Sequence, residues 1–235
     1  MIIWIASYPK SGNTWVRSFL TAYYFCDNGI FDIDKLNLIE DYPNKQFFKE
    51  KVKQGEIHKH WETSQKDILD QKKVKFLKTH NSLITAFGND FTKPEYTLGI
   101  IYVIRDPRNV ITSVKNHNDL ESYDKALKFM QDENKVLNDY PHLKNYAKTN
   151  IINSWRINYQ SWLSNKFLRK VIIKYEDMVR NPVQTFEKLV VFVNTLMRFD
   201  NKIDQNKLKN AIDTTNFKNL QKIENEGKFG ENVYS

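Results

Sequence analysis

Apolar residues gather along this chain in four short, nearly continuous runs: Ile2 to Ala6, Val74 to Leu77, Gly99 to Ile104 and Val171 to Ile173. Each run ends in polar residues, and three are rich in β-branched side chains. A strand covered on both faces, as in a parallel sheet, reads as a continuous apolar stretch rather than as an alternation. Between the runs, apolar positions recur with helical period over about Thr14 to Phe25, Pro107 to His117, Asn150 to Leu163, Pro182 to Thr195 and Asp204 to Asp213. Strand alternating with helix predicts an α/β fold, a central parallel β-sheet flanked by helices. Residues 28–73 are polar, aromatic and irregular in period, and read as an insertion of helices and loops within a single domain of residues 1–235.

Ligands of such sheets bind at the carboxyl ends of the strands, so the residues just after each apolar run carry the chemical interest. The first run passes into Ser7-Tyr8-Pro9-Lys10-Ser11-Gly12-Asn13-Thr14-Trp15 and then at once into a helical pattern. A tight polar loop opening a helix suits an oxyanion: backbone N–H groups point outward and the helix dipole adds partial positive charge. Lys10 adds a full charge, Ser11 and Thr14 add hydroxyls, and Gly12 lets the backbone come close. Lys precedes Gly here, and no Gly-Lys-Ser or Gly-Lys-Thr occurs in the chain, which argues against an ordinary ATPase or kinase. No G-x-G-x-x-G is present, which argues against a dinucleotide dehydrogenase.

Composition narrows the picture only a little. The 235 residues and 40% apolar content suffice for one α/β domain. Cys26 is the single cysteine, so no intrachain disulfide forms and a reducing compartment is compatible. The net charge of +8 fits an anionic partner, but abundant lysine alone produces it, and a small nucleotide needs only a few placed cations. No nucleic-acid recognition motif accompanies the charge, so nucleic acid is not an expected partner. No apolar run approaches the ~20 residues of a spanning helix. The opening Met1 to Ala6, cut off by Pro9 and Lys10, is not a secretory leader. The expected setting is the cytoplasm.

The loop Tyr8-Pro9-Lys10-Ser11-Gly12-Asn13-Thr14-Trp15 resembles the 5′-phosphosulfate loop of the cytosolic sulfotransferase family, with Asn13 where Thr is frequent. Further segments match in order. Phe76-Leu77-Lys78-Thr79-His80 resembles the family's Lys-Thr-His. Arg105-Asp106-Pro107-Arg108-Asn109-Val110, with Ser113 a turn beyond Asn109, resembles its 3′-phosphate motif. Tyr175-Glu176-Asp177-Met178 and Thr215-Asn216-Phe217-Lys218 resemble two segments near the nucleotide. The resemblance implies a P-loop-like sulfotransferase fold and a donor, 3′-phosphoadenosine 5′-phosphosulfate (PAPS), that leaves as the bisphosphate PAP with no metal required. It implies His80 as general base, with Lys10 and Lys78 meeting charge on the transferring group. Donor contacts then fall to Lys10, Ser11, Gly12, Asn13, Thr14, Trp15, Arg105, Ser113, Tyr175, Thr215, Phe217 and Lys218. The acceptor would be a small molecule, lipid or carbohydrate bearing a hydroxyl or amine.

Family members usually pass from a segment like Glu226-Gly227-Lys228-Phe229 into an Arg-Lys-Gly clamp. Ser235 ends this sequence without one. The alternative expectation is therefore an impaired homologue that binds the nucleotide in a regulatory role. His58 and His60, one residue apart and without Cys or carboxylate partners in a recognisable spacing, do not make a metal motif. Glu176 and Asp177 read as turn and cap residues rather than as an acid–base pair.

Overall fold

The computed structural model of the protein describes residues 1–69, 73–138, 146–200 and 202–226. The strands are β1 (Ile2–Ser7), β2 (Glu40–Asp41), β3 (Lys75–Thr79), β4 (Thr85–Ala86), β5 (Asn89–Asp90), β6 (Thr97–Ile104), β7 (Val136–Leu137), β8 (Asn150–Ile151) and β9 (Lys170–Lys174). The helices are α1 (Asn13–Phe25), α2 (Trp61–Leu69), α3 (Pro107–His117), α4 (Tyr123–Gln131), α5 (Trp155–Ser164), α6 (Tyr175–Arg180), α7 (Pro182–Met197), α8 (Gln205–Thr214) and α9 (Phe217–Asn225).

Five strands form one parallel sheet in the order β2-β3-β1-β6-β9. The first strand is thus the central one, and all six of its residues are buried. Its side chains part by the period of two that a strand imposes. Ile3 and Ile5, with Ile101 and Val103 of β6, face a core closed by α1, α7, α8 and α9. Ile2, Trp4 and Ala6, with Ile100 and Tyr102, face a second core holding Trp61 of α2, Trp162 of α5 and Phe91. Gly99 lets α7 settle directly on β6, since a Cβ there would lie 2.3 Å from a methyl of Leu196.

All four expected strands form, each within a few residues of its apolar run. Two boundaries differ. The helix expected from Asn150 starts at Trp155, because Ser154 caps it by accepting from the Ile157 N–H at 3.2 Å, while Asn150 and Ile151 pair antiparallel with β7. Residues 28–73 do hold helix and irregular turns, but they also add β2 to the sheet edge, pairing Glu40 with Leu77 and Asp41 with Lys78. Residues 70–72 of that segment lie outside the described set. Among the described residues no helix is long and apolar enough to cross a membrane.

Candidate active site

The chain leaves β1, runs left along the sheet through β2 and β3, and returns on the other side as β6. That reversal opens a crevice at the carboxyl ends of the strands. The register Ala6 to Thr79, Ser7 to Val103 and Ile104 to Lys174 brings the ends of β1, β3, β6 and β9 level. Four of the sequence motifs follow those ends.

After β1 the backbone turns sharply, with Lys10 at φ 64° and Gly12 at φ 96°, and α1 begins at Asn13. No side chain caps α1, and no acid occupies its first turn. The Ser11 hydroxyl and the Asn13 Oδ1 are buried without a hydrogen-bond partner among the described residues. Asn13 Nδ2 donates to the Ile5 carbonyl and to Ser7 Oγ, both at 3.1 Å, which ties the loop to its strand. Uncapped N–H groups, an orphaned hydroxyl and a neighbouring lysine form a cradle that fits a phosphate or sulfate group. Gly12 is required by packing as well as by φ: a Cβ would sit 2.6 Å from Tyr175 Cδ2.

His80 follows β3. Its Nδ1–H donates to the Ser7 carbonyl at 2.8 Å, so the remaining lone pair lies on Nε2. Asn158 Nδ2 donates to the His80 carbonyl at 3.0 Å and fixes its backbone. Burial, then the Lys78 ammonium, push its pKa down to about 3, so the imidazole is neutral near pH 7.

Lys78 Nζ lies 3.2 Å from Asp41 Oδ1, and Arg17 Nη1 lies 3.4 Å from the same oxygen. Burial alone would raise the pKa of Asp41, but Lys78 and Arg17 outweigh it and hold the carboxyl well below the usual range. Neither Asp41 nor Arg17 was expected at the site.

Arg105 donates from Nη1 to the Lys10 carbonyl at 3.1 Å, and its guanidinium carbon lies 4.1 Å from the centroid of the Tyr175 ring. Trp15 meets Tyr175 edge-on at 5.8 Å. Asp106 caps α3 by accepting from the Arg108 N–H at 2.9 Å, and Pro107 opens the helix. Glu176 Oε1 accepts from the Asp106 N–H at 3.0 Å, joining α6 to the start of α3.

Ser113 is half-buried on the second turn of α3. One turn beyond it, His117 Nδ1 stands 3.1 Å from Lys10 Nζ. Burial, then the Lys10 charge, push the His117 pKa down to about 4, so it accepts from the ammonium. This contact was also missed, although the i, i+4 spacing from Ser113 placed both residues on one helix face.

Arg105 and Tyr175 thus pack against the turn of Lys10, Gly12 and Trp15, which also carries Ser11, Asn13 and Thr14, while His80 is tied to Ser7 at the end of the same strand and Lys78 stands two residues before it. The last motif stands differently. The Thr215 hydroxyl, fully buried, is committed to the Ala211 carbonyl at 2.6 Å, and Phe217 and Lys218 open α9 as exposed residues. No described hydrogen bond, ion pair or ring contact ties these three to the loop after β1. Gly227, Lys228 and Phe229 lie outside the described residues. Trp61 and Phe91 are core residues with 0% exposure, whereas Phe87 is 89% exposed on the β4–β5 hairpin.

A family model described as "Sulfotransferase domain" matches residues 2–229. Among solved structures, a mouse sulfotransferase, SULT7A1, complexed with PAP is similar at TM-score 0.56 and 16% identity, over 93% of this chain and 65% of that one. A retinol dehydratase is similar in two complexes. With androsterone and inactive cofactor PAP the TM-score is 0.52 at 14% identity, over 97% of this chain and 69% of that one. With retinol and PAP it is 0.58 at 14% identity, over 97% and 70%. The crossing order of the sheet, the P-loop-like turn after its central strand and a match over nearly the whole sequence agree: this chain belongs to the sulfotransferase family.

Proposed function

We propose that the protein transfers a sulfuryl group from PAPS to a hydroxyl or amine of a small-molecule, lipid or carbohydrate acceptor. The observation that carries this reading is the neutral His80 imidazole, its tautomer set by the Ser7 carbonyl, beside an uncapped helix N-terminus flanked by Lys10, Lys78 and Arg105. The donor would supply an activated sulfuryl group on a phosphate leaving group. The loop of Lys10 to Thr14 would hold the 5′ end, Arg105 and Ser113 the 3′-phosphate, and Tyr175 with Trp15 the base.

The residues' tasks follow from their chemistry. His80 Nε2 takes the acceptor's proton and holds the acceptor oxygen or nitrogen in place. Its low pKa keeps that lone pair open, and the negative charge of a bound donor would raise its basicity toward the working range. Lys10 meets charge growing on the leaving oxygen, and Lys78 meets charge on the transferring group. Arg105 is preorganised by its stacking and by the Lys10 carbonyl, so its remaining donors are aimed before a ligand arrives. The PAP complexes of the similar structures, and the steroid and retinoid bound in two of them, are compatible with this chemistry and with an apolar acceptor.

Calorimetry with PAP and donor turnover test the proposal together. Wild type binds PAP, and Lys10→Ala weakens binding roughly ten- to hundredfold, the share of a charge-assisted hydrogen bond. His80→Ala keeps PAP affinity while turnover falls by about 10²–10⁴-fold. Absence of PAP binding by wild type refutes the reading, and unchanged turnover in His80→Ala removes that residue from its role.

A further inference from the structure

Lysine is a poor instrument for aiming a charge, because its long stem is flexible and its ammonium strongly hydrated. Lys78 nevertheless has a defined seat. It lies two residues before His80, which follows its strand, and its charge is felt by that imidazole. The strand pairing sets Asp41 directly beside it. The Asp41 carboxylate is itself braced, since Arg17 is only 3% exposed and its Nη2 is spent on the Ile39 carbonyl at 2.8 Å. The order of contacts is therefore a fixed cation, a carboxylate and a second cation whose charge acts on His80, with Oδ1 at 3.4 Å and 3.2 Å from the two nitrogens. The negative charge of Asp41 also opposes the combined influence of Lys78 and Arg17 on His80.

We propose that Asp41, braced by Arg17, is a positioning residue that fixes the Lys78 ammonium at the crevice for the group being transferred. The inference rests on the sulfuryl-transfer reading of the site. Asp41 acts through Lys78, and on that reading Lys78 meets the sulfuryl group, which PAP lacks. Losing Asp41 should therefore slow transfer without loosening PAP. A merely structural carboxylate, neutralising Arg17 to hold β2 against α1, would instead lower both together.

The test is a double-mutant cycle on the full chain. PAP release from PAPS is followed with phenol as acceptor and with water alone, and PAP affinity by calorimetry. Asp41→Asn is expected to slow release about 10- to 100-fold while the PAP Kd stays within about threefold. In a Lys78→Met background the same change is expected to add less than about twofold. Because Asp41→Asn removes the carboxylate that the buried Arg17 meets at 3.4 Å, a second variant, Arg17→Met with Asp41→Asn, removes both charges and should show the same loss of turnover. Multiplicative losses in the cycle, unchanged turnover, or parallel loss of turnover and PAP affinity overturn the inference and leave sulfuryl transfer standing. A wild type that neither binds PAP nor consumes PAPS overturns the sulfuryl-transfer reading, and this inference with it.

Discussion

Gly12→Ala probes the anion loop at its tightest point. The residue sits at φ 96°, where an L side chain is strained by about 1–2 kcal/mol. The new methyl would also meet Tyr175 at 2.6 Å and 3.2 Å and Met178 at 3.3 Å. Tyr175 cannot swing away freely, because Arg105 lies over its ring at 4.1 Å and Trp15 meets it at 5.8 Å. Overpacking of this kind costs about 1–3 kcal/mol. The sum, about 2–5 kcal/mol, corresponds to a Tm lower by roughly 4–20 °C for a chain of this size. Moving Tyr175 also disturbs the stack that orients Arg105, so PAP affinity should fall by about tenfold or more, the loss expected when one charge-assisted contact is spoiled. Thermal unfolding and PAP calorimetry give the two readings. Adding Tyr175→Leu should recover part of the Tm, the packing share, but not the backbone share. A Gly12→Ala protein matching wild type in both Tm and PAP affinity would refute the close packing described here.

Acid should weaken the fold through two buried imidazoles. His80 and His117 are held neutral, with pKa values pushed down to about 3 and about 4 by burial and by Lys78 and Lys10. The unfolded chain titrates near ~6.5, so it takes up protons first as pH falls; the stability present above that value is lost progressively below it. Urea midpoints measured from about pH 8 to about pH 5 should be level at first and then fall, and a flat profile would contradict neutral burial of both rings. Asp106→Ala should remove the N-cap of the helix that carries Ser113 and His117, at about 1 kcal/mol. The expected Tm decrease is about 2–4 °C by scanning calorimetry, and no change would show the cap to be dispensable.

The legible parts of this molecule are those whose signal is local. β1, β3, β6 and β9 announce themselves because a strand covered on both faces must be apolar throughout. The cap and Pro of α3 can be seen in Asp106-Pro107. The loop of Lys10 to Thr14 shows itself through residue types that suit an anion. β2 escapes because two acidic residues carry no apolar pattern; it is a strand only through backbone pairing with Leu77 and Lys78. Arg17 escapes for a related reason. It lies within an apolar helix, and the carboxylate that makes its burial tolerable comes from a distant segment. The helix start at Trp155 was visible in Ser154, but the apolar period running back toward Asn150 obscured it. The His117 contact with Lys10 depends on how far β1 and α3 approach, which no spacing along one chain encodes.

The central place of β1 has a consequence for biosynthesis. Ile2 to Ser7 leave the ribosome well before both strands that will flank them, since those neighbours start only at Lys75 and Thr97. Until those are translated, a greasy, β-prone hexapeptide has two unsatisfied edges, the composition and exposure that favour intermolecular stacking. Nascent chains should therefore depend on chaperone shielding of this segment, and the loop of Lys10 to Thr14 next to it can form only late, once the sheet has closed around its earliest-made strand.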